Sequence, residues 1–138
     1  MDDGSTLTPR QQLGSEWFAY TMHSRAPTPE TVYRDAGILN FVFAEMWSRP
    51  GLDMRSRRWI TLACVAAGAT EAPIRTHVYA ALKSGDISYS EAQEFVLQLA
   101  VYHGWPRASY MDQVIREEWA RIEKEGGPTP LPVPRRPE

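Results

Sequence analysis

The stretch TEAPIRTHVYAALKSG, residues 70–85, indicates the fold class of the chain. Its apolar residues Ile74, Val78 and Leu82 recur every four positions, which is the spacing of a helix that buries one face. A threonine at the start and a glycine near the end are typical helix boundaries. His77 stands in the middle of this apolar stripe. It is therefore either a core histidine with a hydrogen-bond partner or a group that lines a buried site and transfers a proton.

Similar signals along the chain predict six helices, and no alternating strand pattern of useful length occurs. The expected helix starts share a capping residue or a proline, and they lie at Thr8-Pro9, Thr28-Pro29, Asp53, Thr70, Ser88 (with Glu91 completing a capping box) and Pro106. We therefore predict an all-α, single-domain helical bundle of about six helices over residues 9–125. Residues 1–8 are expected to form a flexible N-terminus. The proline-rich residues 126–138 are expected to form an extended tail that is either disordered or an arm over a neighbouring subunit.

The third and fifth predicted helices are apolar on nearly every side, over residues 59–67 and 95–102. A helix of this kind is fully buried, and a chain of this size cannot bury two of them alone. We therefore predict a homo-oligomer with these helices at or near the subunit interfaces. Cys64 lies between Ala63 and Val65 on the third helix, so we expect it to pack in the interior and not to act as a nucleophile.

Composition narrows the class of protein. The 138 residues are 43% hydrophobic and 23% charged, a mixture typical of a globular chain. A net charge of -2 gives no reason to expect nucleic acid or an anionic membrane as a partner. The single cysteine excludes an intrachain disulfide and a CxxC redox pair, and the three histidines have no metal-ligand spacing. An acidic, polar N-terminus without a signal sequence leads us to expect a cytoplasmic protein.

The segment WSRPGLDMRSRRW, residues 47–59, contains four arginines in ten positions. Arg55 and Arg58 are three residues apart on the predicted third helix and so share a face. Their planar guanidinium groups suit a carboxylate ligand, and their charge persists at any relevant pH. They form an anion clamp, intersubunit salt bridges or a solvated helix end, and the spacing alone does not choose among these.

The segment AVYHGWPRA, residues 100–108, places Tyr102, His103 and Trp105 around a turn between two helices. These aromatic residues either plug the end of the bundle or wall a pocket for a small ring-shaped ligand. Glu71 precedes His77 by six positions, slightly less than two helical turns. Whether Glu71 supports His77 or caps the helix cannot be read from this spacing.

Taken in order, these segments resemble the carboxymuconolactone decarboxylase family. The resemblance rests on WxRPGLDxRxRxxxTLA in residues 47–63, on His77 followed by AAL and a glycine, on SxxEAxE, and on the turn YHGWPRA. The opening LTPRQQLGSEWF is similar to the first helix of that family, so the resemblance covers residues 9–122. It implies an all-helical, alkylhydroperoxidase-like fold that assembles into trimers or hexamers.

The family has two chemical branches, and the resemblance points to one of them. The peroxidase branch carries C-x-x-C-x-x-x-H, but Thr70 and Pro73 occupy the two cysteine positions here, which excludes dithiol chemistry. The other branch decarboxylates gamma-carboxymuconolactone in aromatic-compound catabolism without a cofactor. This implies His77 as the group that returns a proton. We also predict Glu71 as a catalytic residue.

The resemblance also implies a substrate-binding set. Arg49, Arg55 and Arg58 suit the carboxylate and the developing negative charge, while Trp47, Tyr102, His103 and Trp105 surround the ring. We therefore predict a cofactor-independent decarboxylase acting on a small cyclic carboxylated lactone, with no metal, nucleic acid or membrane. The alternative is a non-catalytic small-molecule binding or assembly protein that retains the fold.

Overall fold

The computed structural model describes residues 6–137, which form six helices and no strand. In chain order the helices are α1 (Pro9–Met22), α2 (Tyr33–Met46), α3 (Met54–Gly68), α4 (Glu71–Lys83), α5 (Tyr89–His103) and α6 (Trp105–Lys124). The predicted all-α class and the number of helices are confirmed for this part of the chain. The flexible N-terminus that we expected falls mostly on residues 1–5, which lie outside the described residues.

The helices group into two compact units. The first contains α1, α2 and the tail from Pro132 onward, and the second contains α3 to α6 within Leu52–Leu131. The core of the second unit is built from one apolar face of each of its helices. Its fully buried members include Leu62, Ala66, Ile74, Val78, Leu82, Ile87, Met111, Val114, Ile115 and Ile122.

In the first unit, α1 and α2 approach each other closely at Gly14. A Cβ atom on Gly14 would overlap the backbone carbonyl of Leu39, so only glycine permits this crossing. Leu13, Trp17 and Thr21 line the buried side of α1. A glycine in the sequence GSEW thus determines how closely the two helices of this unit pack.

The second helix differs from its prediction in start and in form. It begins at Tyr33 and not at Thr28-Pro29, and its hydrogen bonds are of the i→i+5 type, as from Trp47 N–H to the Val42 carbonyl at 3.0 Å. Val32 lies directly before this helix and is 83% exposed. Leu39, Phe43 and Ala44 are the residues that this helix buries.

Most of the predicted helix caps are confirmed. The Thr8 and Ser88 side chains accept the backbone N–H groups of Gln11 and Glu91, and both helix starts are complete capping boxes. Asp53 accepts the N–H of Ser56 at 2.7 Å, which anchors the start of α3. Thr70 occupies the cap position of α4 but makes no side-chain cap hydrogen bond.

The outer face of α3 corrects our expectation for Cys64, which is exposed and not packed in the interior. Arg58, Leu62 and Ala66 form the buried stripe of α3, and Cys64 lies halfway between two members of this stripe, on the opposite side. Ile60 is 54% exposed on the same outer face. The apolar character of α3 therefore exceeds what a single chain buries.

The C-terminal tail is extended after α6 and makes defined contacts. In the second unit, Thr129 N–H donates to the Lys83 carbonyl at 2.7 Å, and Lys83 Nζ donates to the Gly127 carbonyl at 2.9 Å. From Pro132 onward the tail belongs to the first unit. No helix within residues 6–137 combines the length and the apolar character needed to cross a membrane.

Candidate functional site

His77 lies on α4 and is partly buried. Burial, and secondarily the positive charge of Arg58, lowers the pKa of its imidazole to about 4. No group in residues 6–137 forms a hydrogen bond with the ring, so the interpretation of a core histidine held by a partner finds no support there. The imidazole is therefore neutral near pH 7 and accessible to the hydrogen bonds of a ligand.

Arg58 is the most deeply buried charged residue near His77. Its side chain is 2% exposed, and its Nε donates to Asp86 Oδ2 at 3.2 Å. Asp86 lies in the turn between α4 and α5, so this ion pair joins α3 to the end of the helix that carries His77. Because an arginine keeps its charge even when buried, Arg58 is a permanent positive group beside the imidazole.

Arg55 reaches the same turn from one helical turn earlier, as the three-residue spacing predicted. Its Nη1 and Nη2 form a two-pronged ion pair with Glu91 at 3.1 and 2.6 Å, and Nη1 also donates to the Asp86 carbonyl at 2.5 Å. The hydrogen bond from Arg55 lowers the pKa of Glu91 to about 2. The two arginines therefore share a face, and both hold carboxylates of their own chain.

Glu71 lies at the exposed start of α4 and is bound elsewhere. Arg75 Nε donates to its Oε1 at 2.8 Å, and Arg75 also pairs with Glu117 and Glu118 on α6. No hydrogen bond joins Glu71 to His77 within the described chain. The structure thus favours a role for Glu71 in joining α4 to α6 over a role as helper of the histidine.

The aromatic turn between α5 and α6 is exposed. Tyr102, His103 and Trp105 all face outward, and none of them hydrogen-bonds His77. Trp105 lines an open groove of about 440 Å³, which is also bounded by Val96, Leu97, Ala100, Ala108, Asp112 and Arg116. This groove is large enough for a small ring, but it is open to solvent in the single chain.

Trp47 and Arg49 belong to the first unit. Trp47 is buried and stacks on Phe43 with 6.4 Å between the ring centroids, so it contributes to the core of that unit. Arg49 is exposed at the turn after α2, where its backbone N–H donates to the Met46 carbonyl at 3.3 Å. Their assignment as substrate-binding residues stays a prediction.

One interior void of the second unit is too small to hold a ligand. The void between Leu62, Val78, Leu82 and Ile115 measures about 10 Å³, room for about one water molecule. A small carboxylic acid does not fit there.

Asp86 is the functional candidate that the sequence analysis missed. It is the acidic residue of the turn KSGDIS, and it contacts Arg55 and Arg58. The only signal in the sequence was an acid directly after a helix-ending glycine. Its partners lie 28 and 31 residues earlier in the chain, a separation that local spacing rules do not address.

Comparison with known proteins identifies the class of this chain. Residues 35–117, more than half of the chain, match the sequence model of the carboxymuconolactone decarboxylase family. The chain belongs to this family. The resemblance drawn from its arginine, histidine and YHGWPRA segments is therefore confirmed.

Two characterised relatives are named as decarboxylases. Over 72 residues the chain is 33% identical to 4-carboxymuconolactone decarboxylase of Acinetobacter baylyi, covering 52% of this chain and 53% of that protein. Over 94 residues it is 32% identical to nitrosuccinic acid decarboxylase of Metarhizium robertsii, covering 68% of this chain and 64% of that protein. The matches thus span between half and two thirds of each relative. No solved structure matches the chain.

Proposed function

We propose that this chain removes CO2 from a small carboxylic acid, with His77 as the proton-transferring group and Arg58 as the main positive charge. The observation that carries this proposal is the partly buried imidazole of His77, which has no hydrogen-bond partner in the described chain and lies beside a buried arginine. Membership of the family and the names of the two relatives support the reaction class.

The proposed reaction defines what the site must supply. The carbon–carbon bond to the carboxylate breaks, CO2 leaves, and the electron pair remains on the substrate, where an adjacent electron-withdrawing group delocalises it. A proton then adds to that carbon. Positive charge near the substrate stabilises the delocalised anion, and an acid completes the reaction. Arg58 and His77 are the chain's candidates for these two tasks.

The lowered pKa of His77 fits this sequence of events. In the empty site the imidazole is neutral, because burial and Arg58 disfavour its charged form. A bound carboxylate offsets the charge of Arg58 and favours protonation of His77. Substrate binding therefore favours the uptake of a proton from solvent by His77. His77 later transfers this proton to carbon and returns to its neutral form.

The names of the relatives suggest the substrate class. Carboxymuconolactone and nitrosuccinic acid are both small acids whose second functional group withdraws electrons. We propose a substrate of this kind, and gamma-carboxymuconolactone, an intermediate of aromatic-compound breakdown, is the first compound to test. Nitrosuccinic acid is the second. We include no cofactor in this proposal.

The other predicted substrate-binding residues would contact the substrate only if the site changes from its form in the single chain. Arg55 is paired with Glu91 and Arg58 with Asp86, so we assign Arg58 the electrostatic role beside His77 and give Arg55 the direct contact with a substrate carboxylate only if it releases Glu91. Arg49, Trp47 and the exposed aromatic turn with Tyr102, His103 and Trp105 would complete the site if a second copy of the chain covers it. A trimer or hexamer, as the family resemblance implies, would provide such a cover.

One observation favours the second candidate function, a non-catalytic anion-binding protein. Glu71 is held by Arg75, so no carboxylate in the described chain orients His77. A histidine beside an arginine can bind an anion without transferring a proton. A binder of this kind would be stabilised by the acid but would release no CO2 from it.

The test compares wild type, His77→Ala and Thr76→Ala in CO2-release and ultraviolet assays with both acids. Thr76 is the matched control, because it is exposed and lies next to His77 on the same helix. We expect turnover in wild type and Thr76→Ala and a loss of at least about a hundredfold in His77→Ala. Equal turnover in all three proteins would refute the role of His77. A thermal shift without CO2 release in wild type would establish the binding function instead.

A further inference from the structure

The C-terminal segment Pro134–Pro137 contacts Trp17 on α1 and Ser48 in the turn after α2, within the first unit, and we call this contact surface the Trp17 slot. The slot is built around Trp17, which is 1% exposed and donates its indole N–H to the Arg135 carbonyl at 2.8 Å. A buried indole N–H needs an acceptor, and this one finds it in the backbone of the tail.

Two arginine side chains complete the contact on either side of Trp17. The Arg136 guanidinium lies 5.5 Å from the centroid of the Trp17 ring and donates to the backbone carbonyl of Ser48. The Arg135 side chain approaches Glu16 at 3.7 Å. Three independent kinds of contact, an indole hydrogen bond, a cation–π contact and an ion pair, thus converge on two consecutive residues of the tail.

The flanking prolines make the segment suitable as a ligand. Proline restricts the backbone to an extended conformation before binding, so little conformational entropy is lost when the segment docks. The recognition groups on the protein are a backbone carbonyl, an aromatic face and a carboxylate. These groups select a planar, positively charged side chain, and this describes arginine better than lysine.

From these contacts we propose that the Trp17 slot is a recognition site for a proline-flanked arginine pair, and that the ligand it holds is the chain's own C-terminal segment. Arg136 acts by fixing the turn at Ser48. The two neighbours of Ser48 in sequence are Trp47 and Arg49. Docking of the tail therefore positions the turn that carries both of these residues. This inference does not depend on the reaction that the protein catalyses.

The test follows the Trp17 indole N–H by NMR hydrogen exchange in the full-length protein, with its resonance assigned through Trp17→Phe. We expect slow exchange in wild type and an acceleration of about tenfold in Arg136→Ala, because a cation–π contact and a charged hydrogen bond are lost. Arg136→Lys should give an intermediate rate, since it keeps the charge and loses the planar contact. Arg116→Ala, an exposed arginine on α6, is the control and should leave the rate unchanged. An unchanged rate in Arg136→Ala would overturn the proposal.

A second arm identifies the source of the ligand. If the segment belongs to the same chain, protection of the indole N–H is independent of protein concentration. Protection that increases with concentration would assign the slot to the tail of a second copy and overturn the intramolecular assignment. A synthetic peptide of residues 132–138 added to full-length Arg136→Ala should slow the exchange again. The same peptide with both arginines replaced by alanine should not, and equal effects of the two peptides would also overturn the proposal.

Discussion

His77 and Arg58 form a pair in which burial first, and the guanidinium charge second, lowers the pKa of the imidazole to about 4. The two residues lie on neighbouring helices, and Asp86 holds the arginine from the following turn. Burial therefore keeps His77 neutral near pH 7, and the charge of Arg58 adds to this effect. This relationship links the stability of the protein to its proposed chemistry.

The low pKa of His77 should make the free energy of unfolding depend on pH. The unfolded pKa near 6.5 exceeds the folded value of about 4, so the unfolded state binds the proton more readily between these values. Lowering the pH through this range therefore destabilises wild type. Between pH about 7 and pH about 4.5, the free energy of unfolding should fall by about 2 kcal/mol more in wild type than in His77→Gln. Urea unfolding at both values measures the difference. Thr76→Ala should follow wild type, and identical pH dependence in His77→Gln would contradict the assigned pKa.

The ion pair between Arg58 and Asp86 should contribute more to the free energy of unfolding than an exposed ion pair does. Arg58→Ala leaves the partly exposed Asp86 without its partner, and we expect this to cost about 1–3 kcal/mol. Asp112→Ala breaks an exposed pair with Arg116 on α6 and should cost less than about 1 kcal/mol. Chemical denaturation of the two variants compares them. Similar losses would show that Asp86 is not a significant partner of Arg58.

The sequence predicted the features that depend on local spacing. Helix caps at Thr8, Asp53 and Ser88 were recognised because their hydrogen bonds reach only three residues along the chain. The shared face of Arg55 and Arg58 followed from one helical turn. Family membership was recognised from motifs whose residues are likewise close together in sequence.

Features that depend on distant partners were missed. Whether Arg55 binds a substrate or Glu91 is decided by a residue 36 positions away, and no local rule selects it. The exposure of Cys64 was misjudged because an apolar neighbourhood in sequence does not reveal which side of α3 faces the core. The π-type hydrogen bonding of α2 likewise has no signal in α-helical spacing.

The crossing of α1 and α2 should depend on Gly14. In Gly14→Ala the new methyl group overlaps the Leu39 carbonyl, so the helices must separate, and we expect a loss of about 1–3 kcal/mol or more. Gly37→Ala is the matched control on α2, because its nearest neighbour would be at an ordinary contact distance of 3.7 Å. That variant should be neutral or slightly stabilising, since alanine favours helices. Equal thermal stability of the two variants would mean that the helices do not meet at Gly14.

The exposed apolar faces of α3 and α5 lead to a prediction about assembly. Ile60 on α3 and Leu97 on α5 are 54% and 55% exposed in the single chain, and a large apolar side chain gains about 1.5–3 kcal/mol when it is fully buried. We therefore expect the protein to sediment as a multimer at micromolar concentration. Ile60→Glu and Leu97→Glu should shift it to the mass of one chain without loss of helicity, because neither side chain belongs to the core of its own unit.

Cys64 provides an independent measure of the same assembly, because it lies on the outer face of α3 with Ile60. Its thiol should react slowly with a labelling reagent in the wild-type multimer and quickly in Ile60→Glu. Gln98→Glu is the control, since it adds the same charge at an exposed polar position of α5. It should keep both the mass and the slow labelling. A single-chain mass for wild type, with fast labelling of Cys64, would show that α3 and α5 are not interfaces, and a site completed by a second copy would then have to be abandoned.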